Sequence, residues 1–235
     1  MSSVRELKFY STAEHACSYL DDRQASTLFA DPQSTMSAAL YGELSDLGFR
    51  RSGNFVYRPH CHPCQACIPV RIPVALFKPN RSQRRVWAMN QDLDVSTTMP
   101  GLTEERYDLY DRYIRHRHAD GDMFPPSVDQ FVSFLQSAWS DTCFIEFRLQ
   151  GTLIAVAVCD WLPQGMSATY TFFEPLQAAR SLGTFAILWQ IEECRRMHYH
   201  AVYLGYWIQQ SAKMRYKSVF RPMEMLIHDE WLMAK

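Results

Sequence analysis

Residues 168–206 read ATYTFFEPLQAARSLGTFAILWQIEECRRMHYHAVYLGY, and this stretch decides the fold of the chain. Its first part, Ala168 to Phe173, has the aromatic and β-branched composition of a strand. From about Ser181 to Met197, apolar residues recur at helical spacing and predict a long amphipathic helix. The short apolar run from Ala201 to Tyr206 then predicts a final, buried strand.

The residues before this stretch add further strands and two helices. Phe144 to Leu149 and Thr152 to Trp161 predict two strands, while Thr103 and Ser127 each occupy the first position of a predicted helix. Helices, an antiparallel run of strands, a helix and a strand together predict an α+β domain with a mixed sheet over residues 99–235. This order resembles the acetyltransferase-like (GCN5-related) fold.

Residues 1–98 predict a smaller α/β N-terminal domain that carries a cysteine cluster. Thr35 to Leu47 predicts a helix, and a hairpin around Gly53-Asn54 follows it. Ile68 to Val74 alternates like a strand, but its two prolines restrict it to a sheet edge. Asn80 is the predicted cap of a basic helix that begins at Arg81. The turn at Pro100-Gly101 is the predicted boundary between the two domains.

Composition limits the class of protein. The chain has 235 residues, with 24 Lys+Arg against 25 Asp+Glu, and 47% of its residues are hydrophobic. These values exclude a disordered or fibrous protein and a protein that coats nucleic acid indiscriminately. The longest apolar run, Leu153 to Cys159, is far too short for a membrane-spanning helix, and the first residues do not form a secretory signal. We therefore expect a soluble, cytoplasmic protein with no membrane partner.

Three of the seven cysteines form the cluster Cys61-x-x-Cys64-x-x-Cys67. Thiols at this spacing converge on one zinc ion or iron–sulfur cluster when a fourth ligand joins them. Cys17 is the best fourth sulfur, and His60 and His62 are nitrogen alternatives. We predict a structural metal site at Cys17, Cys61, Cys64 and Cys67; the alternative is a group of reduced, free thiols.

The loop that leads into the long helix has the features of an anion site. Arg180, Ser181 and Gly183 lie where free backbone N–H groups at a helix start face outward and a glycine permits close approach. Acetyltransferases hold the pyrophosphate of coenzyme A at this position, but Phe185 here replaces the second glycine of their pattern. The alternative is an ordinary helix start with a solvated arginine.

Basic residues occur in three groups, each of which is usually a solvated face. The last group is interleaved with aromatic residues, a mixture suited to phosphate contacts and base stacking at the end of a single-stranded nucleic acid. The three groups are Arg81, Arg84 and Arg85; Arg112, Arg115 and Arg117; and Lys213, Arg215, Lys217 and Arg221.

Several long motifs resemble one known family, the aminoacyl-tRNA–protein transferases. The likeness spans nearly the whole chain, and its short length and cysteine spacing look most like the bacterial aspartate/glutamate leucyltransferases, relatives of the eukaryotic arginyltransferases. The matching segments are Tyr170-Thr-Phe-Phe-Glu174-Pro175, Arg180 to Glu192, Tyr203-Leu-Gly-Tyr-Trp-Ile208, Lys213-Met-x-Tyr216-Lys-x-x-Phe220-Arg-Pro222, Gly48-Phe-Arg-Arg-Ser-Gly53 and Tyr57-Arg-Pro-x-Cys61.

This resemblance implies an enzyme that transfers leucine from leucyl-tRNA to the α-amino group of proteins beginning with Asp or Glu, which marks them for degradation through the N-degron pathway. An aminoacyl ester is already activated, so direct amine attack requires no cofactor. Alignment supplies much of the rate, and the protein must still deprotonate the amine and stabilise the oxyanion.

For this reaction we expect four groups of site residues. Glu174 orients or deprotonates the amine, and Tyr206 donates a hydrogen bond to the oxyanion or leaving group. The tRNA phosphates contact Arg180, Ser181, Gly183, Lys213, Lys217 and Arg221, and the acceptor carboxylate is read by Arg71, Arg81, Arg84 or Arg85. A turn residue and a core aromatic are the alternatives for Glu174 and Tyr206. Rival functions are arginyl transfer, coenzyme A-dependent N-acetylation and metal-dependent RNA binding.

Overall fold

The computed structural model describes residue 4 and residues 7–62 and 64–234. The helices are α1 Ala38–Asp46, α2 Arg81–Met89, α3 Glu104–Arg117, α4 Val128–Leu135, α5 Leu182–Arg196 and α6 Ala212–Arg215. The strands are β1 Phe9–Ser11, β2 His15–Ala16, β3 Gln24–Ala25, β4 Thr27–Ala30, β5 Arg50–Ser52, β6 Phe55–Pro59, β7 Ile68–Pro73, β8 Leu93–Thr98, β9 Asp141–Leu149, β10 Thr152–Leu162, β11 Gly165–Phe173, β12 Ala201–Trp207, β13 Glu224–Ile227 and β14 Glu230–Met233.

An eight-stranded sheet in the order β14-β13-β7-β12-β11-β10-β9-β8 forms the centre of the molecule. Within the described residues, β11 and β12 are its one parallel pair, because α5 crosses over between them, and the other neighbours run antiparallel. The prediction of an α+β fold with a mixed sheet is confirmed.

Helices cover both faces of this sheet. Along β10, Ala155 and Ala157 pack in one core with α5, whereas Val156 and Val158 pack in a second core with α3 and α4. Successive side chains of a strand point to opposite faces, so α5 lies on one face of the sheet and α3 and α4 lie on the other. A third core joins α1 and the small sheet β1-β4-β6-β5 to β12.

The position predicted for Ile68 to Val74 is wrong. The segment forms β7, which lies inside the large sheet between β12 and β13. Its pairing with β13 involves only Val70 and Arg71, so Pro69 and Pro73 fall outside that short ladder. Two prolines therefore limit the length of one pairing without confining the strand to an edge.

Most predicted helices and strands are confirmed, and the side chains of Asn80, Thr103 and Ser127 cap α2, α3 and α4 as expected. Ala201 to Tyr206 is not the final strand, because β13 and β14 follow it. They are short and joined by His228 and Asp229, both at positive φ, as in a two-residue hairpin turn. None of the described helices is long and apolar enough to cross a membrane.

A buried ion pair holds the small sheet against the large one. Arg51 on β5 donates to both carboxylate oxygens of Asp160 on β10 at 2.7 Å, and both side chains are fully shielded from solvent. Thr142 and Thr169 donate to the same carboxylate. Its oxygens are thus fully satisfied, which is the condition under which a buried pair is tolerated.

Candidate functional site

The parallel strands β11 and β12 diverge along their length. In the described residues their pairing covers Gly165, Met166 and Ser167 against Ala201, Val202 and Tyr203, and no later residues. A register shift between β10 and β11 leaves Thr169 without a paired residue on β10 at the point where β11 turns away. The C-terminal halves of β11 and β12 therefore border a gap in the sheet, which we call the strand gap.

Arg50 occupies the closed end of the strand gap. Its guanidinium donates to the Ala168 carbonyl on β11 and, at 3.3 Å, to the Tyr203 carbonyl on β12. Gly205, at φ +77°, makes room for this contact, because a Cβ there would lie 3.3 Å from the Arg50 Nε. Arg50 thus satisfies carbonyls that strand pairing would otherwise satisfy.

Glu174 lies at the end of β11, at the open end of the gap. One carboxylate oxygen accepts from the Arg112 Nε at 3.0 Å, and the other accepts from the Leu176 N–H at the start of a 3-10 helix, Pro175–Arg180. Both carboxylate oxygens are therefore already held by hydrogen bonds, an arrangement that suits the orienting role predicted for Glu174 better than proton abstraction.

Tyr206 lies on the facing strand β12 and is almost fully buried. Its hydroxyl donates to the carbonyls of Gly48 and Tyr57, at 3.0 and 3.3 Å. Burial raises the pKa of this phenol well above its ordinary value. The predicted hydrogen bond to an oxyanion would require the hydroxyl to leave these carbonyls.

The predicted anion site at the start of α5 has the expected backbone but a neutralised arginine. Arg180 donates to both carboxylate oxygens of Asp92 at 2.8 Å. Ser181 adopts a left-handed conformation at φ +52°, and Gly183 packs against the Phe173 ring. An anion bound here would compete with Asp92 for the Arg180 guanidinium.

Three of the four basic residues of the C-terminal group, those predicted to contact tRNA, have different environments. Lys213 on α6 is exposed and forms a 3.0 Å ion pair with Asp120, and Arg221 donates to the Ser218 carbonyl. Lys217 is 5% exposed, and its ammonium donates to the Tyr206 carbonyl and the Met214 sulfur. Burial and the nearby Arg50 lower the pKa of Lys217 to about 7.

The arginines predicted to read an acceptor carboxylate divide into two places. Arg81, Arg84 and Arg85 share the exposed side of α2. Arg71 lies instead on β7, where it bonds to two carboxylates, Glu224 and Asp46. The α2 group therefore offers more available guanidinium groups than Arg71 does.

The cysteines predicted to bind metal influence one another electrostatically. Burial, then Cys61, Cys17 and Cys64, raise the pKa of the Cys67 thiol to about 12. Cys61 donates to the Ser26 carbonyl, and Cys64 accepts from Arg23. Among the described residues, no three side chains of the metal-binding types are grouped so that they could hold an ion.

A cluster that sequence reasoning missed surrounds His118, which the pattern treats as part of a solvated helix end. The His118 ring packs against Tyr113 of α3 and Tyr170 of β11, with centroids 5.5 and 6.5 Å apart. Burial and Lys213 lower the pKa of this imidazole. The contact with Tyr170 joins residues 52 positions apart, so local sequence carries no signal for it.

Comparison with known proteins identifies the family. A sequence model described as the C terminus of arginine-tRNA-protein transferase matches residues 105–227, and one described as its N terminus matches residues 15–85. The chain belongs to the arginine-tRNA-protein transferase family. This transferase is 55% identical over 232 residues to the aspartate/glutamate leucyltransferase of Pseudomonas fluorescens (strain Pf0-1), which covers 99% of each chain.

A second relative is the aspartate/glutamate leucyltransferase of Pseudomonas putida (strain W619), 56% identical to this transferase over 232 residues and 99% of each chain. Among solved structures, one described as L-PGS from Bacillus licheniformis matches at 9% identity with a TM-score of 0.46, over 69% of this chain and 48% of that chain. The family resemblance drawn from the motifs is confirmed, and the chain is a transferase.

Proposed function

We propose that this transferase moves leucine from leucyl-tRNA to the N-terminal amine of proteins that begin with Asp or Glu. The observation that carries the proposal is identity of 55–56% to aspartate/glutamate leucyltransferases over 99% of the chain. At such identity over full length, the residues that determine donor and acceptor are expected to correspond.

The chemistry is aminolysis of an ester. The neutral α-amine attacks the leucyl carbonyl carbon, the carbonyl oxygen becomes an oxyanion, and the bond to the ribose oxygen breaks as an amide forms. The strand gap and the N-terminus of α5 are where we place the ester, because helix N–H groups attract the phosphates beside it. Alignment of amine and ester there supplies much of the rate.

Within this reaction the predicted residues take the following roles. Glu174 orients the incoming amine, and Tyr206 supports the strand that borders the ester or donates to the oxyanion after rearrangement. The tRNA phosphates are bound by Arg180, Ser181, Gly183, Lys213, Lys217 and Arg221. Of these, Lys217 is buried and contributes its charge from below the protein surface. Arg81, Arg84 and Arg85 are more exposed than Arg71 and, unlike it, form no ion pair with a carboxylate among the described residues, so we prefer them as cations for the acceptor carboxylate.

Three wider features belong to the same proposal: an acetyltransferase-like arrangement of the C-terminal half, a cytoplasmic location, and a place in the N-degron pathway. A structural zinc or iron–sulfur cluster at Cys17, Cys61, Cys64 and Cys67 is a further part of it. No step of the aminolysis requires that group.

The donor assay tests the proposed function. The full chain is incubated with a peptide beginning with Asp and, separately, with leucyl-tRNA, arginyl-tRNA or acetyl-CoA. We expect a mass increase of one leucyl residue from leucyl-tRNA alone, and none when the peptide begins with Asn. Transfer from arginyl-tRNA or acetyl-CoA instead would establish a rival activity, and tRNA binding without transfer would indicate an RNA-binding module.

A further inference from the structure

His118 is positioned between α3 and the diverging strand β11. It is the residue after the last turn of α3, and its ring contacts Tyr113 on that helix and Tyr170 on β11. Tyr113 also packs against Phe173, with ring centroids 4.9 Å apart, and Phe173 immediately precedes Glu174. His118 therefore packs against the C-terminal half of β11, which borders one side of the strand gap.

Charged groups from three segments surround this imidazole. Arg117 lies over the Phe173 ring at 5.8 Å, and Lys213 pairs with Asp120. Lys213 and Arg117 lower the His118 pKa, and Asp120 opposes them. Tyr216, from the same C-terminal motif as Lys213, acts electrostatically on Tyr113. The C-terminal motif, the end of α3 and the end of β11 thus meet at His118.

The ring nitrogens of His118 are available for proton transfer. In the part of the chain that the structure describes, no hydrogen bond reaches either of them, and the side chain is only half-buried. Its main contacts are with aromatic rings, which hold the imidazole in place and leave its ring nitrogens free to donate or accept a hydrogen bond. By contrast, both carboxylate oxygens of Glu174 are engaged by Arg112 and Leu176.

We propose that His118 is the catalytic proton carrier of the transfer reaction, accepting a proton from the acceptor amine and delivering it to the ribose oxygen. This inference rests on the proposed function and names a residue that is not among the predicted site residues. Glu174 keeps its role of orienting the amine.

The step balances as follows. Neutral imidazole takes a proton from the nitrogen of the peptide's N-terminus as that nitrogen bonds to the leucyl carbonyl carbon. The ester C–O bond then breaks, and the ribose oxygen leaves with the proton that the imidazolium returns. His118 ends as it began, the peptide gains one leucyl residue, and the tRNA regains its free hydroxyl. A base with a pKa below neutral is deprotonated at working pH and so can accept the proton.

The test compares His118→Asn with His116→Asn, a change at an exposed neighbour on the same helix end. Transfer from leucyl-tRNA to a peptide beginning with Asp is measured from pH 5 to 9. We expect the rates of all three proteins to rise near pH 8 as the acceptor amine loses its proton, and the wild-type rate to show a second rise with a midpoint below about 6.5. His118→Asn should lose about 10²–10⁴-fold in rate and lose this second rise, because general acid–base catalysis contributes that much.

Three further measurements separate catalysis from folding. Both variants should melt within a few degrees of wild type, and both should keep wild-type affinity for leucyl-tRNA. His118→Ala should be partly rescued by added imidazole, whereas a merely structural side chain would not be. A His118→Asn enzyme with the wild-type rate and pH profile would overturn the proposal. Absence of transfer by the wild type would instead refute the proposed function, and this inference with it.

Discussion

Lys217 is a buried ammonium group whose contacts are a carbonyl and a thioether, with no carboxylate among the groups that shift its pKa. Its folded-state pKa of about 7 lies below the unfolded value near 10.5. Between these pH values the unfolded chain binds more protons, so this group makes stability rise with pH from about 7 to 10.5. Below pH 7 the full cost of burying the charged ammonium group is present.

Replacing Lys217 by Met should therefore raise the melting temperature at pH 7, and the gain should shrink as the pH approaches 10. Thermal unfolding of wild type and variant across this range measures the difference. Lys213→Met, at an exposed ion pair, is the matched control and should change stability by less than about 1 kcal/mol at every pH. A variant destabilised at pH 7 would show that the ammonium is compensated by an anion.

The zinc or iron content of the purified protein is the subject of a second prediction. If Cys17, Cys61, Cys64 and Cys67 bind metal, anaerobic purification should yield zinc or iron near one site per chain. A Cys67→Ser variant should lose that content, while Cys194→Ser, a change at a buried core thiol, should retain it. Metal-free wild-type protein would favour the alternative of free thiols.

Sequence reasoning identifies residue types at this scale better than their partners. Asn80 was recognisable as a cap because the group that it binds is three residues away. The partner of Arg180, Asp92, is 88 residues away, and that of Lys213, Asp120, is 93 residues away. Whether a basic residue is free to bind phosphate or already neutralised depends on such pairs, and no local pattern encodes them.

At the scale of elements, the start of the β11–β12 pair depends on Gly165. A Cβ at this position would lie 2.0 Å from the Ala201 carbonyl oxygen, which belongs to the neighbouring strand. The backbone would have to shift, and the strand gap would move with it.

Gly165→Ala should lower the free energy of unfolding by about 1–3 kcal/mol, the usual cost of overpacking. Chemical denaturation checks the value. Gly101→Ala is the control: a Cβ there meets only the Arg106 guanidinium at 3.6 Å, so we expect a change below about 0.5 kcal/mol. Equal effects of the two substitutions would argue that β11 and β12 are not packed so closely.

The elements differ in how well the sequence predicts them. Long segments such as α5 and β10 are predicted nearly to their ends, because α5 has a continuous apolar face and β10 is apolar on both faces. The hairpin β13–β14 is missed, since each strand has four residues and stays partly exposed. The place of β7 is missed because sheet order depends on long-range pairing, and local proline content only limits it.

At the scale of the whole molecule, the two halves share one sheet. β7 and β8 both precede the predicted boundary at residue 99, yet they pair with β12 and β9 from the other half. The small sheet also contributes Arg51, the partner of Asp160. The two-domain division drawn from the sequence remains a prediction about folding.

A fragment of residues 99–235 tests that division. Without β7 and β8, both β9 and β12 would present open edges, and Asp160 would be buried without its cation. We expect the fragment to aggregate when expressed alone and to be recovered in soluble form when residues 1–98 are co-expressed, as gel filtration would show. A monomeric fragment with native circular dichroism would establish an independent domain.

Arg50 adds a further connection between the two halves of the chain. It comes from the small sheet, yet its guanidinium bridges the carbonyls of Ala168 and Tyr203 on the two parallel strands. The Arg50 side chain occupies the space between β11 and β12 and keeps the two strands from pairing along the rest of their length. The N-terminal half therefore sets the width of the strand gap. A shift of that half would widen or narrow the strand gap without a change in any residue of β11 or β12.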